Sequence, residues 1–346
     1  MYLNVLKVFA PSAIAFFMGL ALTPFLTDFL YRNRCWKKKP GKGDGTPIFN
    51  SLHCEKEVGT PRMGGVVIWV SVLCTIGLIR LLSIIFPGDQ FFEKLDFLSR
   101  GQTWLPLFTL LAGSIVGLID DLLQISGTGD SKSGLAFWKR LLVVLIIGLI
   151  GGFWFYSRLG MTAIHLPFYG PLALGLLFIP FFILVMISLF SSGVIDGLDG
   201  LSGGVMAIIF SAYAGISYFQ GRIDLAAFCT VVVGGILAFL WFNIPPARFY
   251  MSETGILGLT TTLTVLAFLT DTVLLLPIIA FPLFITSLSN VIQLTSKKFR
   301  GKKVFLVAPL HHHFEALGWP AHKVVMRYWV IGIVMAIIGM LLALIG

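Results

Sequence analysis

Apolar runs long enough to cross a bilayer recur from one end of this chain to the other. No water is available inside lipid, so each crossing segment must satisfy its own backbone hydrogen bonds, which leaves α-helices or a closed β-barrel. A barrel needs short segments of alternating polarity, and these are absent. The fold class expected is therefore all-α: a polytopic integral membrane protein with about ten spans. Composition agrees. Of 346 residues, 57% are hydrophobic and only 12% charged, too few charges to clothe a soluble surface of this size.

The spans are expected at about 8–31, 64–86, 104–119, 138–155, 171–190, 203–218 and 226–242, with the last beginning near 326. Residues 255–293 are too long for one crossing, and Asp271, Pro277 and Pro282 break them into an eighth span and a kinked ninth. Between the second and third spans, Phe91, Leu95 and Leu98 share a helical face, which suggests a short helix on the membrane surface. Alternation and turn residues over 158–170 suggest a small hairpin. The first run has full spanning length and lacks a small-residue cleavage site, so no cleavable signal is expected. Cys35 and Cys54 fall in a basic loop, Cys74 and Cys229 in apolar segments, and no CxxC spacing points to zinc or a disulfide framework.

The formal net charge of +9 would suggest nucleic acid in a soluble protein, but here the position of the charges matters more. Loops after odd-numbered spans carry most of the lysine and arginine: Arg32, Arg34, Lys37, Lys38, Lys39, Lys42, Lys56 and Arg62, then Lys132, Lys139, Arg140 and Arg248, then Lys297 to Arg327. The opposite loops carry Lys94, Arg100, Arg158 and Arg222, with Lys7 near the terminus. The positive-inside rule puts the basic loops in the cytoplasm and both termini on the periplasmic side. The whole chain, 1–346, reads as a single transmembrane domain with functional loops at about 32–63, 120–137, 191–202, 243–256 and 295–325. No internal repeat favours an inverted-repeat transporter.

The chemistry-bearing residues collect on the cytoplasmic side. Asp120 and Asp121 end an apolar span, where carboxylates oppose the helix dipole and suit a hard cation such as Mg²⁺. Asp196 and Asp199 lie in a glycine-flanked turn, Asp196-Gly-Leu-Asp199-Gly, whose small residues admit a ligand close to the backbone. Asn243 precedes Ile-Pro-Pro, which by itself is also a helix stop. His311, His312 and His313 are adjacent, so they do not converge on one metal as an i, i+4 pair does; beside lysine and arginine they suit an anion, above all a phosphate. The external acids Asp89, Glu93, Asp96, Asp224 and Asp271 lie among external cations and read as solvated charge. The cytoplasmic set reads as a metal-assisted phosphate site at a membrane surface, with spans that admit a lipid.

These residues carry a family resemblance. Ala308-Pro-Leu-His-His-His-Phe-Glu315, within a matching string from Phe305 to Arg327, together with Gly59-Thr-Pro-Arg-Met-Gly-Gly65, Asp120-Asp121, Asp196-Gly-Leu-Asp-Gly-Leu201 and Phe242-Asn-Ile-Pro-Pro-Ala247, resembles the bacterial phospho-N-acetylmuramoyl-pentapeptide transferases. These belong to the polyprenyl-phosphate N-acetylhexosamine-1-phosphate transferases. The resemblance implies Mg²⁺-dependent transfer of phospho-MurNAc-pentapeptide from UDP-MurNAc-pentapeptide to undecaprenyl phosphate, giving lipid I and UMP, at the bacterial inner membrane. It implies membrane lipid as a partner and leaves a homodimer open. By position it implies Asp120, Asp121 and His311 as catalytic groups. Lys56, Thr60, Asp196, Asp199, Asn243, Tyr250, Gln293, His312 and His313 would bind substrate, and Glu253 with Asp121 would hold the metal.

The chain departs from that pattern in four places. Gly193-Val-Ile195 stands where the family has Asn-Leu-Thr, Glu253 where it has the metal-binding aspartate, Arg62 where threonine is common and Gln124 where lysine is common. Two other readings stay open: the same chemistry on another UDP-N-acetylhexosamine, and a non-catalytic relative that binds lipid or partner proteins.

Overall fold

A computed structural model describes residues 2–36, 59–98, 101–126 and 135–346. The chain is an α-helical membrane bundle. Among the described residues, nine helices are long and apolar enough to cross a bilayer, or ten if one bent pair is a single span. They are α1 (Tyr2–Arg32), α2 (Val66–Ile85), then after the short α3 (Gln90–Leu95) come α4 (Trp104–Ser126) and α5 (Phe137–Arg158). A hairpin of β1 (Ala163–Leu166) and β2 (Gly170–Ala173) follows, antiparallel with Ala163 opposite Ala173. Then come α6 (Phe178–Ser191), α7 (Leu201–Phe219), α8 (Ile223–Asn243) and α9 (Ser252–Leu269). The bent pair joins Val273–Ile279, whose last turn is α10 (Leu276–Ile279), to α11 (Phe281–Arg300) at 86°. The chain closes with α12 (Leu310–Ala316) and α13 (Ala321–Ile345).

Three expectations shift. The hairpin lies a few residues later than the turn residues suggested, and it shortens the start of the fifth span. The helix expected on the surface is a single turn and a half; Leu95 and the following Phe97 are buried under the bundle while Phe91 stays exposed, so only part of the apolar set faces lipid. The third span does not stop at Asp120-Asp121. Leu122, Leu123 and Ile125 continue the helical pattern, and α4 runs on to Ser126.

α9 is the axis of the bundle. Of its spanning window, 94% is buried inside the protein, against 22% for α1 and for α13. Its run of threonines would be costly in lipid if unsatisfied, but Thr260, Thr261, Thr262 and Thr264 each donate to the carbonyl four residues back. Small residues let α4 approach it closely. A methyl group at Gly113 would meet Gly258, and one at Gly117 would overlap the backbone carbonyl of Glu253. The same device brings α8 against α1 and α2, where Gly234 faces the Ser12 carbonyl and Gly235 faces Ile68 and Ser71.

Three acids expected on the external side, Asp224, Asp96 and Asp271, each meet a cation. Lys7 pairs with Asp224 at 2.5 Å, Arg80 with Asp96 at 2.6 Å and Arg222 with Asp271 at 3.4 Å. These pairs are part-exposed, so each contributes little stability. A cavity of about 190 Å³ opens at this end of α9, lined by His165, Gln220, Asp271 and Thr272. It lies at the far end of the helix from Glu253, roughly 27 Å away at 1.5 Å per residue, and is separate from the acids described next.

Candidate active site

The N-terminus of α9 gathers acids from two other elements. The first turn of a helix has backbone N–H groups with no partner in the helix and a positive dipole end, so it attracts carboxylates. The Thr254 amide and hydroxyl donate to Asp121 Oδ2 at 3.0 and 2.7 Å, which fastens the end of α4 to the start of α9. The Ser252 amide donates to Asp196 Oδ2 at 2.8 Å. Ser252 has φ 58°, a left-handed conformation uncommon outside glycine, at the residue whose amide meets the Asp196 loop. Between these two contacts, Glu253 presents its own carboxylate. The glycines at 113, 117 and 258 make this possible, because bulkier residues would hold α4 off.

Two guanidinium groups sit among the acids. Arg62, just before α2, donates from Nε to Asp121 Oδ1 at 3.1 Å. Arg140, in the first turn of α5, donates from Nη1 to Glu253 Oε1 at 2.5 Å and stands 3.6 Å from Asp120 Oδ2. Asp120 also accepts from the Leu135 amide at 2.5 Å and from Gln124 Nε2 at 2.9 Å. The side chains of Asp120 and Asp121 are almost wholly buried. Burial lowers the pKa of Arg62, but the carboxylates of Asp121, Glu253 and Asp196 together outweigh it, so the group stays charged.

The acidic loop and the histidines meet. His311 and His312 are buried, with ring centroids 4.2 Å apart, on α12 rather than in an open loop. Both imidazoles lie against Gly197: a methyl group there would overlap them, which is a structural reason for glycine between Asp196 and Asp199. His312 Nδ1 lies 2.8 Å from Glu315 Oε2, and the Leu306 amide donates to His313 Nδ1 at 3.2 Å.

Other expected site residues act on the backbone. Asn243 Oδ1 accepts from the Gly200 amide and Nδ2 donates to the Phe249 carbonyl, each at 2.9 Å, tying the Asp196 loop to the segment before α9. Asp199 Oδ2 accepts from the Ala247 amide at 3.2 Å. Gln293 is wholly engaged with the strap after α11: Nε2 donates to the Phe305 carbonyl at 2.9 Å and Oε1 accepts from the Val304 and Phe305 amides at 3.0 Å. The Tyr250 amide donates to the Pro61 carbonyl at 2.9 Å, and its carbonyl accepts from Gly64, which places Thr60 and Arg62 beside the start of α9. Lys56 lies outside the described residues. Sequence reasoning missed Arg140 altogether as a site residue. It stands beside Lys139 in a basic stretch, and nothing in its spacing distinguishes it.

The oxygen donors suit a hard cation. Mg²⁺ takes carboxylate oxygens and keeps several waters, so it does not need an all-protein cage. Among the described residues no three histidine, cysteine or acidic side chains are grouped so as to hold a metal ion by themselves. Asp121 and Glu253, joined through Thr254, supply adjacent carboxylates of the right chemistry at a helix N-terminus.

Asp196 gives a pH test. Burial holds its carboxyl above the ordinary 3.8, against the pull of Ser202, which donates to Oδ1 at 2.6 Å, and of Ser252. A raised carboxyl pKa means the stabilising neutral form is fully present below the unfolded value of about 3.8 and lost as pH rises through the folded value. Asparagine can keep both bonds by donating from its amide nitrogen to Ser202. Asp196→Asn is therefore expected to be at least as stable as the parent near pH 7 in the absence of divalent cations. Its advantage should shrink as pH falls toward 3.8; identical pH profiles of thermal unfolding for the two proteins would count against the buried charge.

Residues 103–271, from the start of α4 through the end of α9, match the model of glycosyl transferase family 4. The chain is 34% identical over 330 residues to the phospho-N-acetylmuramoyl-pentapeptide-transferase of Anoxybacillus flavithermus, covering 95% of each chain. It is 34% identical to that of Geobacillus thermodenitrificans, covering 94% of this chain and 95% of the relative. With that of Chloroflexus aurantiacus the identity is 32%, over 96% and 89%. Likeness at this level along nearly the whole length places the chain in the phospho-N-acetylmuramoyl-pentapeptide transferase family.

Proposed function

We propose that this chain transfers phospho-MurNAc-pentapeptide from UDP-MurNAc-pentapeptide to undecaprenyl phosphate, releasing UMP and forming lipid I. The reaction would take place at the cytoplasmic face of the bacterial inner membrane, with both termini periplasmic. The observation that carries this reading is the convergence, at one end of the bundle, of Asp120, Asp121, Asp196 and Glu253 around the α9 N-terminus, with His311 and His312 packed on the Asp196 loop.

An oxygen of the lipid phosphate attacks the sugar-bearing phosphorus. A new P–O bond forms, the bond to the bridging oxygen breaks, and UMP leaves with that electron pair. The second pKa of a phosphomonoester is about 6, so near neutral pH the nucleophile is mostly a dianion and needs charge neutralisation more than a base. Asp120 would orient that phosphate and accept its residual proton. The histidines and the Arg62 and Arg140 guanidiniums would bind phosphate oxygens and position the sugar side. Asp121 and Glu253 would hold Mg²⁺, which when bound offsets the charge developing on the leaving nucleotide. Asn243, Asp199 and Gln293 would fix the backbone that lines the nucleotide.

The test is UMP release from UDP-MurNAc-pentapeptide and undecaprenyl phosphate, with and without Mg²⁺, with UDP-GlcNAc run in parallel. Release from the pentapeptide substrate alone supports the proposal. Preference for UDP-GlcNAc would reassign the sugar, and no UMP from either would mark a non-catalytic relative. In the same assay Glu253→Gln is expected to lose Mg²⁺-dependent turnover, while Glu253→Asp retains or raises it. Equal rates for the two variants would refute the ligand role of Glu253.

A further inference from the structure

The acids assigned to a cation already carry cations of the protein's own. Asp121 offers both carboxylate oxygens to donors, one to Arg62 and one to Thr254. Glu253 Oε1 is held by Arg140, whose Nη1 also faces Asp120. Arginine keeps its charge at any accessible pH, so both counter-cations are permanent charges. Four carboxylates and two guanidiniums leave the cluster formally dianionic, and the part of it that remains uncompensated is shared among groups from four separate elements. Arg140 Nε is buried and has no hydrogen-bond partner among the described residues. The guanidinium therefore uses only part of its donor capacity where it sits and can exchange partners at small loss.

We propose that Arg62 and Arg140 are built-in counter-cations that compete with a divalent cation for Asp121 and Glu253. The inference rests on the assignment of those two acids to the metal in the preceding section. In the metal-free protein the guanidiniums offset the mutual repulsion of the buried carboxylates and tie α4, α5, α9 and the chain before α2 together around them. A cation that takes Asp121 Oδ1 or Glu253 Oε1 must displace Arg62 or Arg140 from that oxygen. Divalent-cation affinity is thereby set low, and the released guanidiniums face the position where an anionic substrate would lie. Their positions 59 and 113 residues from their partners make this a property of the assembled bundle.

The experiment is a Mn²⁺ titration of the full chain in detergent, following free Mn²⁺ by electron paramagnetic resonance. Arg62→Gln and Arg140→Gln are each expected to tighten Mn²⁺ binding at least tenfold. Arg62→Lys and Arg140→Lys, which keep the charge, should stay within a few fold of the parent. Unchanged or weaker binding in the glutamine variants overturns the proposal. Glu253→Gln separates the two levels. If it weakens Mn²⁺ binding while Arg140→Gln does not tighten it, the ligand assignment stands and the counter-cation role falls. If it leaves binding unchanged, the ligand assignment fails and the counter-cation role falls with it. A measurement on the unsubstituted protein covers the case of variants that do not fold. Hydrogen exchange at the arginine side chains should accelerate for two buried arginines on addition of Mg²⁺, and exchange that does not respond overturns the proposal.

Discussion

Asp121→Asn is expected to lower UMP release by about a thousandfold or more and to destabilise the protein as well. The catalytic loss follows from removing a charge that acts where phosphate charge is rearranged, a position where single groups contribute about 10²–10⁴ in rate. The structural loss has a separate cause. Asp121 is fully buried and answers both the Arg62 guanidinium and the Thr254 amide and hydroxyl. An asparagine can offer one oxygen, and its amide nitrogen would face a donor on the other side. Arg62 would then stay buried without its counter-charge, and breaking such a pair costs about 3–5 kcal/mol. Thermal unfolding in detergent measures this. Asp121→Asn combined with Arg62→Gln should recover much of the stability and none of the turnover, because the second change removes the orphaned charge without replacing the carboxylate. Activity of the single variant within tenfold of the parent would sink the catalytic assignment.

Gly117→Ala is expected to damage the site from one helix turn below it. The added methyl group would overlap the Glu253 carbonyl, so α4 and α9 must separate at the point where Asp121 meets Thr254. Overpacking of this kind costs about 1–3 kcal/mol, and a displacement of about 1 Å at a reacting centre costs about a hundredfold in rate. Turnover is therefore expected to fall by about two orders of magnitude with a clear drop in unfolding temperature. Gly77→Ala is the control. Its added methyl group meets nothing within 4 Å, and a helical glycine-to-alanine change with free space is worth about 0.5–1 kcal/mol in the other direction. If the two alanine variants behave alike, close approach of α4 to α9 is not what positions the acids.

The spans were legible because lipid imposes one rule on every residue that enters it. Asp120-Asp121, the Asp196 loop and the three histidines stood out as polar groups interrupting that pattern, and the bundle does bring all three to one end. What the chain order hides is which ends touch. Arg62 reads as a departure from a common threonine and Arg140 as one more positive charge in a basic stretch; their roles depend on where α2 and α5 stand beside α4 and α9, which spacing does not encode. Gln293 and Asn243 are polar residues near helix ends in either description, and only the fold reveals that their amides hold backbone segments together. The extent of α4 was misjudged for a physical reason. A carboxylate pair looks like a helix end meeting water, but these two are held by donors from α9 and from the chain before α5 and before α2, so the helix runs past them.

The near-complete enclosure of α9 has a consequence for how the bilayer acts on this enzyme. A change in membrane thickness loads the helices that face lipid, such as α1 and α13, which respond by tilting. α9 has almost no lipid contact through which such a load could act, so the spacing of its bound carboxylates is insulated from hydrophobic mismatch. α11 is different. It bends away at 86° and exposes Leu288, Val291 and Leu294, and its Ser289 hydroxyl accepts from the Leu310 amide at the start of α12. Bilayer composition thus has a mechanical route to the histidine side of the centre and none of comparable directness to the acid side.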